Sequence, residues 1–487
     1  FIMWLFAAVP AIVAALYLCH INHAMKAVPD EAAKLSPHRW TIEEIKEAYK
    51  KSLESPIDVT KSLPPKQSRR YVIVGGTGLV GSWILTHLLA RGEDPKAIRI
   101  LDIASPEAKF LNQGITWIKT NITDKLAVTS AFKEPWPAHT TKLPLTVYHT
   151  AAIIRPQDRL KCFLPLSSKV NIDGTLNVLH ACQAAGASIF IWTSSGSTAL
   201  QRPNFWIWPW TRHPKNAVQV LHDSTPLPKS HAHFFGNYAF TKATAESLVL
   251  SANNPAKNFL TGAIRPTNGI YGTGGASITA ITDIYLANGG APTWAYPVLQ
   301  SFVHAENVSL AHLLYEARLV EQSTDPNIRR TSGQSYIVSD PNPAIAFGDL
   351  YRLLMTLADT PISFPELQPA PFLLLAYLVE AYAFLRFMCG GLLPPLSHEL
   401  EQLQPSLFSI LDVHVFADDS RARMRPEDGG LGYKAPLTTL EGMCRRLVDW
   451  NVQARTEGVE VKGKRVLLGP VVVSEEGMGV DVVVPKV

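Results

Sequence analysis

Tyr238-Ala-Phe-Thr-Lys242 places a phenol and an ammonium four residues apart. Residues at that spacing project from the same face of a helix. A lysine held beside a tyrosine favours the phenolate and lowers its pKa, so the tyrosine can exchange a proton near neutral pH. Five-residue patterns of this kind recur by chance on solvated helix faces. The weight of this one rests on what else the chain supplies, and in what order.

Far upstream, the apolar run Tyr71–Val74 is followed by Gly75-Gly-Thr77-Gly78-Leu79-Val80-Gly81 and then by a leucine-rich helical stretch. Glycines spaced Gly-x-x-Gly-x-x-Gly between a strand and a helix let the backbone turn sharply and approach a pyrophosphate, which rests on the helix N-terminus. The next apolar run ends at Asp102, about 20 residues on, where a carboxylate can hold the adenosine ribose hydroxyls. The same charge repels a 2′-phosphate, so NAD is expected over NADP.

Further landmarks close the later runs. His149-Thr-Ala151-Ala152 offers small residues across which a cofactor can lie. Asn171, at the opening of a helix, is a candidate to hold a water linking the lysine to solvent. Trp192-Thr193-Ser194-Ser195 ends another run, and either serine can hydrogen-bond a substrate hydroxyl. Arg265-Pro266 ends the last. Expected cofactor contacts are Gly75, Thr77, Gly78, Leu79, Val80, Gly81, Asp102, Ala151, Ala152, Thr193, Tyr238, Lys242 and Pro266. No residues have metal-ligand spacing, and no metal is expected.

Positioning these groups requires strands alternating with helices, the pattern of βαβ units and a parallel sheet. Strands are expected at Tyr71–Val74, Ile98–Leu101, Thr116–Ile118, Thr146–His149, Ile189–Trp192 and Thr261–Ile264, with helices between, such as Gly81–Arg91 and Thr175–Ala185. The fold class is α/β, a Rossmann-type doubly wound parallel sheet.

Phe1 to Cys19 carry no charge and are almost wholly apolar. About 20 such residues in a helix span a bilayer's hydrocarbon core, so an N-terminal transmembrane anchor is expected, a cleaved signal peptide being the competing reading. Lys26, Lys34 and Arg39 follow it, placing the next domain in the cytosol by the positive-inside rule. A polar stretch comes next, with Thr41-Ile-Glu-Glu44 matching a capping box. A second apolar segment, Pro371 to Leu393, holds Glu380 and Arg386. Burying both would cost about 2.5–3.5 kcal/mol each, so an interfacial or re-entrant segment is expected there, or else a buried globular helix.

Composition narrows the partners. Across 487 residues, 45 basic side chains face 41 acidic ones, a balance too even to imply a nucleic-acid partner, and no basic run is interleaved with aromatics, so none is expected. The five dispersed cysteines read as reduced thiols of a cytosol-facing protein.

With these landmarks in this order, the chain resembles the extended short-chain dehydrogenase/reductase superfamily. Within it, the chain looks most like the 3β-hydroxysteroid dehydrogenase family, including sterol-4α-carboxylate 3-dehydrogenases. The resemblance runs from about Arg70 to Trp450 and is carried by Tyr148-His-Thr-Ala-Ala-Ile-Ile-Arg-Pro156, Phe302-Val-His-Ala-Glu-Asn-Val308, Gly333-Gln-Ser-Tyr-Ile-Val338 and Leu431-Gly-Tyr433. It implies Tyr238 as acid/base, Lys242 on the nicotinamide ribose, Asn171 in the proton relay and Ser195, favoured over Ser194, orienting the substrate. The implied reaction is NAD-dependent oxidation of a sterol or triterpenoid 3β-hydroxyl to the ketone, with loss of a 4α-carboxylate as CO2 in one branch. The implied setting is the endoplasmic reticulum membrane, with the lipid bilayer and a lipophilic small molecule as partners, and a homodimer is compatible.

The expected organisation is an anchor at 1–20, a polar linker with a short helix at 21–68 and the NAD-binding domain at 69–270. A smaller substrate-binding region at 271–450 carries the membrane-associated segment 371–393, and a tail at 451–487 has no assigned role. Three competing readings are a dehydrogenase or reductase of another lipophilic alcohol or ketone in secondary metabolism, a sugar-nucleotide epimerase and a non-catalytic NAD-sensing scaffold. An epimerase needs no anchor, and a scaffold need not keep Tyr238, Lys242 and Ser195. The Trp- and Pro-rich stretch from Phe205 to Pro228 departs from the family pattern and suggests an altered substrate pocket.

Overall fold

Seven strands pair into one parallel sheet: β1 (Arg70–Val74), β2 (Ile98–Asp102), β3 (Thr116–Lys119), β4 (Leu145–His149), β5 (Ala187–Thr193), β6 (Leu260–Pro266) and β7 (Gln334–Val338). Their order is β7-β6-β5-β4-β1-β2-β3, the doubly wound arrangement expected. The computed structural model describes residues 2–267, 269–275, 280–325 and 328–468.

Alternation along each strand builds two cores, because successive side chains point to opposite faces. Tyr71, Ile73, Ile100, Tyr148 and Ile191 pack under the helices Leu79–Ala90 and Ala305–Thr324. Val72, Val74, Val147, Phe190 and Trp192 pack under Thr175–Ala184 and Asn237–Ser251. The chain crosses from one face to the other between β1 and β4, and ligands of such sheets bind outside the strand ends at that switch.

The expected boundary at 270 does not hold as a clean division. Helix Ala305–Thr324 and strand β7 lie beyond it, yet Val308, Leu313, Tyr315 and Tyr336 belong to the first sheet's core. The chain leaves this unit, returns to it, and leaves again. The remainder is built on a four-stranded sheet of Ile345–Ala346, Leu299–Gln300, His414–Ala417 and Val218–Leu221.

The stretch 21–68 is packed structure. Helix Ile42–Glu54 starts at a complete capping box on Thr41 and Glu44. It buries Ile45 among Tyr351, Leu447 and Trp450, and Lys51 reaches Glu441 at 3.1 Å. The unassigned tail begins inside helix Thr439–Thr456, and Val459 and Val461 of the following hairpin join the same core. Residues 469–487 lie outside the described residues.

The N-terminal helix runs from Ile2 to Lys26, beyond the expected limit of the anchor, with Pro10 inside it. The second apolar segment is the helix Pro369–Met388. Both are long and apolar enough to cross a membrane. They pack antiparallel: Lys26 pairs with Glu366 at 2.6 Å, and Asn22 donates to Gln368 Oε1 at 2.6 Å. Glu380 is not left to lipid, since Arg159 binds its carboxylate within the protein at 2.5 and 2.6 Å.

Candidate active site

The turn after β1 closes so tightly that two of its glycines have no alternative. Gly75 has φ +82°, and a Cβ there would stand 2.5 Å from Ala151 N. A Cβ on Gly81 would stand 2.2 Å from Gly75 O. Gly78 caps the helix Leu79–Ala90 without a side-chain hydrogen bond, so first-turn N–H groups remain for an anion. Asp102, at the end of β2, accepts from Thr77 N at 3.0 Å, which sets its carboxylate beside the loop. Ala151 lies against this turn, its N donating to Val74 O at 3.2 Å.

Tyr238 and Lys242 sit in the first turns of helix Asn237–Ser251. The Lys242 Nζ donates to the Thr193 carbonyl at 2.6 Å and lies 4.0 Å over the Trp192 ring. Burial lowers its pKa to about 7, and the Glu246 carboxylate opposes that fall. Glu246 is in turn paired with Arg265 of β6. Burial raises the Tyr238 phenol, and a hydrogen bond with Ser195 pulls it down. This differs from the expectation that the lysine depresses the phenol. Lys242 is committed to a main-chain carbonyl, and the lowering influence comes from the serine.

The two serines have different surroundings. Ser195 Oγ shares a 2.7 Å bond with Ser197 Oγ and accepts from Ser197 N at 3.2 Å. The buried Ser194 Oγ has no partner among the described residues. Asn171 lies in a π-helical stretch, Lys169–Gly174. Its amide donates to Ile153 O and Thr241 Oγ1, both at 3.1 Å, and its Oδ1 accepts from Ile153 N at 2.9 Å. Both N–H donors are spent on protein atoms, so the side chain clamps two segments together, and a water on the proposed relay would have to donate to Asn171.

A cavity of about 390 Å³ joins these parts. Gly78, Leu79 and Val80 line one end, while Ala152, Thr193, Ser194, Ser195, Tyr238, Lys242 and Pro266 line the middle. The far wall is largely apolar, formed by Ile270, Ile281, Phe302, Phe347, Ile410 and Leu411. Residues 205–228 do not line it, contrary to the expectation that they reshape the pocket. Phe205 and Ile207 are buried instead with Ile21, Leu373 and Phe408. Thr267 Oγ1, buried and without a partner among the described residues, joins Ser194 Oγ as an orphaned hydroxyl on the cavity wall. The glycine cradle, the open helix end and these two hydroxyls fit a dinucleotide lying along the strand ends. No cluster of metal-ligating side chains occurs among the described residues.

Sequence reasoning missed Ser197, Thr267, Gln300 and His312. Gln300 lines the cavity, and its Nε2 donates to Ile410 O at 2.6 Å and Val413 O at 3.2 Å. That pins the amide orientation and leaves Oε1 as the acceptor. A lone glutamine between Val298-Leu299 and Phe302 was the available signal. His312 is 2.8 Å from both Val308 O and Thr193 Oγ1. A carbonyl only accepts, so Nδ1 carries the proton and Nε2 receives the Thr193 hydroxyl. Burial lowers the His312 pKa to about 4, keeping it neutral. Thr193, whose carbonyl holds Lys242, is thereby anchored from behind. Nothing in the apolar run around His312 marks it for this.

Residues 72–364, well over half of the chain, match the 3-beta hydroxysteroid dehydrogenase/isomerase family. The decarboxylating sterol-4-alpha-carboxylate 3-dehydrogenase of Homo sapiens is 28% identical over 294 residues, 60% of this chain and 67% of that protein. The 3 beta-hydroxysteroid dehydrogenase type 7 of Mus musculus is 27% identical over 397 residues, 79% of this chain and 95% of that protein. Among solved structures, the fold is shared with UDP-glucose-4-epimerase from Stenotrophomonas maltophila with bound NAD. The TM-score is 0.52 at 15% identity, over 79% of this chain and 98% of that one. The chain belongs to the 3-beta hydroxysteroid dehydrogenase/isomerase family, and it is an oxidoreductase of the short-chain dehydrogenase/reductase type.

Proposed function

We propose that the protein oxidises the 3β-hydroxyl of a sterol or triterpenoid to the 3-ketone with NAD as cofactor, and that a 4α-carboxylate, where the substrate carries one, leaves as CO2. The observation that carries this reading is the convergence of Tyr238, Ser195 and Lys242 on one largely apolar cavity that is continuous with the glycine loop.

The residues divide the work. Gly75, Gly78 and Gly81 admit the pyrophosphate, and Asp102 takes the adenosine ribose. Lys242 holds the nicotinamide ribose, and Ser194 and Thr267 are free to bond the nicotinamide end. When bound, NAD supplies the acceptor for the hydride of the carbinol carbon. Tyr238 as phenolate removes the alcohol proton, and Ser195 steadies the alcohol oxygen. Burial alone opposes a phenolate, and the Ser195 hydrogen bond counters it. With a carboxylate β to the new carbonyl, the C–C bond breaks and its electrons move into the enolate, whose oxygen Ser195 and Tyr238 hold. The apolar wall at Phe302, Phe347 and Ile410 suits a rigid hydrocarbon skeleton.

The two apolar helices support association with a lipid bilayer. The basic residues Lys26, Lys34 and Arg39 support a catalytic domain on the cytosolic side, at the endoplasmic reticulum. The test is NADH formation by the purified protein with 3β-hydroxysterols, with and without a 4α-carboxylate. Tyr238→Phe should lower kcat by about 10²–10⁴-fold. Turnover that survives this change would overturn the role of Tyr238, and cofactor binding without oxidation of any sterol would overturn the substrate class.

A further inference from the structure

We propose that the loop Trp206–Trp210 is an interfacial anchor that seats the substrate mouth on a phospholipid bilayer; this rests on the bilayer association proposed above. Trp208 and Trp210 are 68% and 76% exposed, and their rings stack at 5.2 Å and 6°. Two large aromatic side chains held outward in parallel cost solvation, and nothing among the described residues covers them. Tryptophan concentrates where a bilayer meets water, because its ring is apolar and its N–H is polar.

The loop is clamped between the two apolar helices at one level. Tyr17 OH donates to Ile207 O at 3.0 Å, His20 Nε2 is 3.2 Å from Trp208 O, and Trp206 Nε1 donates to Tyr377 OH at 3.2 Å. Polar contacts lie to one side of that level, where Asn22 meets Gln368 and Lys26 meets Glu366. On the other side the exposed residues are apolar. Val9, Ile12, Val13 and Leu16 form one helical stripe, and Leu378, Leu385 and Met388 form a second. At about 1.5 Å per residue, Val9 lies roughly 12 Å below Tyr17 and Met388 roughly 16 Å below Tyr377. That depth is comparable to one leaflet of a hydrocarbon core about 30 Å thick. Of the two charges on this stretch of the wedge, Glu380 is closed by Arg159, and Arg386 Nε donates to Leu393 O at 3.0 Å.

The same wedge borders the catalytic cavity. Ile154 lines the cavity and is 62% exposed. The chain continues from it to Arg159 on Glu380 and to Phe163, whose ring meets Phe387 at 5.5 Å. With Trp208 and Trp210 at the headgroups, the mouth opens at the membrane surface, where a lipophilic alcohol is concentrated.

Full-length protein in phosphatidylcholine vesicles tests this, using lipids brominated either near the headgroup or near the chain end. Shallow bromines should quench the wild type strongly, and Trp208→Phe/Trp210→Phe should lose most of that shallow quenching. Turnover of detergent-dissolved substrate should persist, since neither residue lines the cavity. Equal quenching of the two proteins would overturn the anchor while leaving bilayer association intact. Failure of the wild type to float with vesicles would overturn both. A wild-type dimer that the double variant converts to monomer, without lipid quenching, would make this face a protein interface and also overturn the anchor.

Discussion

Lys242 Nζ donates to the main-chain carbonyl of Thr193 at 2.6 Å, so the lysine one helical turn from Tyr238 is held by the end of a core strand. Its ordinary pKa of 10.5 falls to about 7 through burial. Between these values the unfolded chain binds a proton that the folded chain does not, so stability contributed by this group rises with pH across that window. Below about pH 7 both states carry the proton, and the cost of burying the charge is fully present.

Lys242→Met should therefore flatten the rise. In cofactor-free protein, the stability gained from pH 7 to pH 9 should be smaller than in the wild type by about 2 kcal/mol. Urea unfolding midpoints at the two pH values check this. Turnover should also fall, since the proposed ribose contact would be lost.

Asp102 meets the Gly-loop amide of Thr77, and in the proposed function its charge is what disfavours a 2′-phosphate. Asp102→Asn should raise kcat/KM for NADP⁺ by about tenfold, or 1.4 kcal/mol, and weaken NAD⁺ use. Initial rates with the two cofactors decide it; unchanged selectivity would remove Asp102 from the ribose site.

Gln300 is the one cavity residue that donates to both Ile410 O and Val413 O. Gln300→Leu takes this donor from the buried Val413 carbonyl and the half-buried Ile410 carbonyl and should cost about 1–3 kcal/mol of stability. If Oε1 accepts from the substrate, KM rises for substrates that present a donor there, while those without one are unaffected. A panel differing in that single hydroxyl reads the effect.

Arg159 and Glu380 have side chains only 9% exposed each. Removing one partner leaves a buried charge, so Glu380→Ala should cost about 3–5 kcal/mol, whereas Arg159→Met with Glu380→Leu should approach the wild type. A double-mutant cycle on unfolding in detergent would show whether the pair is needed for stability or only for closing the wedge.

Much of the site was legible because its logic is local. The glycine turn, the acidic strand end and the Tyr238–Lys242 spacing each lie within a few residues, and strand and helix periods were visible around them. The run Gln334–Val338 is legible as a motif but not as strand β7 of the sheet, because five residues carry too little periodicity to reveal a partner about 70 positions away in β6. His312 and Gln300 were invisible as site residues for the same reason. Each acts through a contact more than 100 residues distant, with Thr193 in one case and with Ile410 and Val413 in the other. The division at 270 erred because the chain re-enters its first core at helix Ala305–Thr324 and β7.

The sequence by itself determined the α/β class, the tight glycine turn after β1 and the placing of Tyr238 and Lys242 one helical turn apart, since these follow from backbone freedom at glycine, side-chain alternation and helical spacing. Only the tertiary structure decided how those groups are tuned. It turned Lys242 toward Thr193, put Ser195 rather than Ser194 on the phenol, and spent the Asn171 amide on Ile153 and Thr241. It also removed the tryptophan loop from the pocket and set it between two apolar helices. These outcomes depend on burial and on which carbonyl or carboxylate stands nearby, quantities that arise only when distant segments pack together.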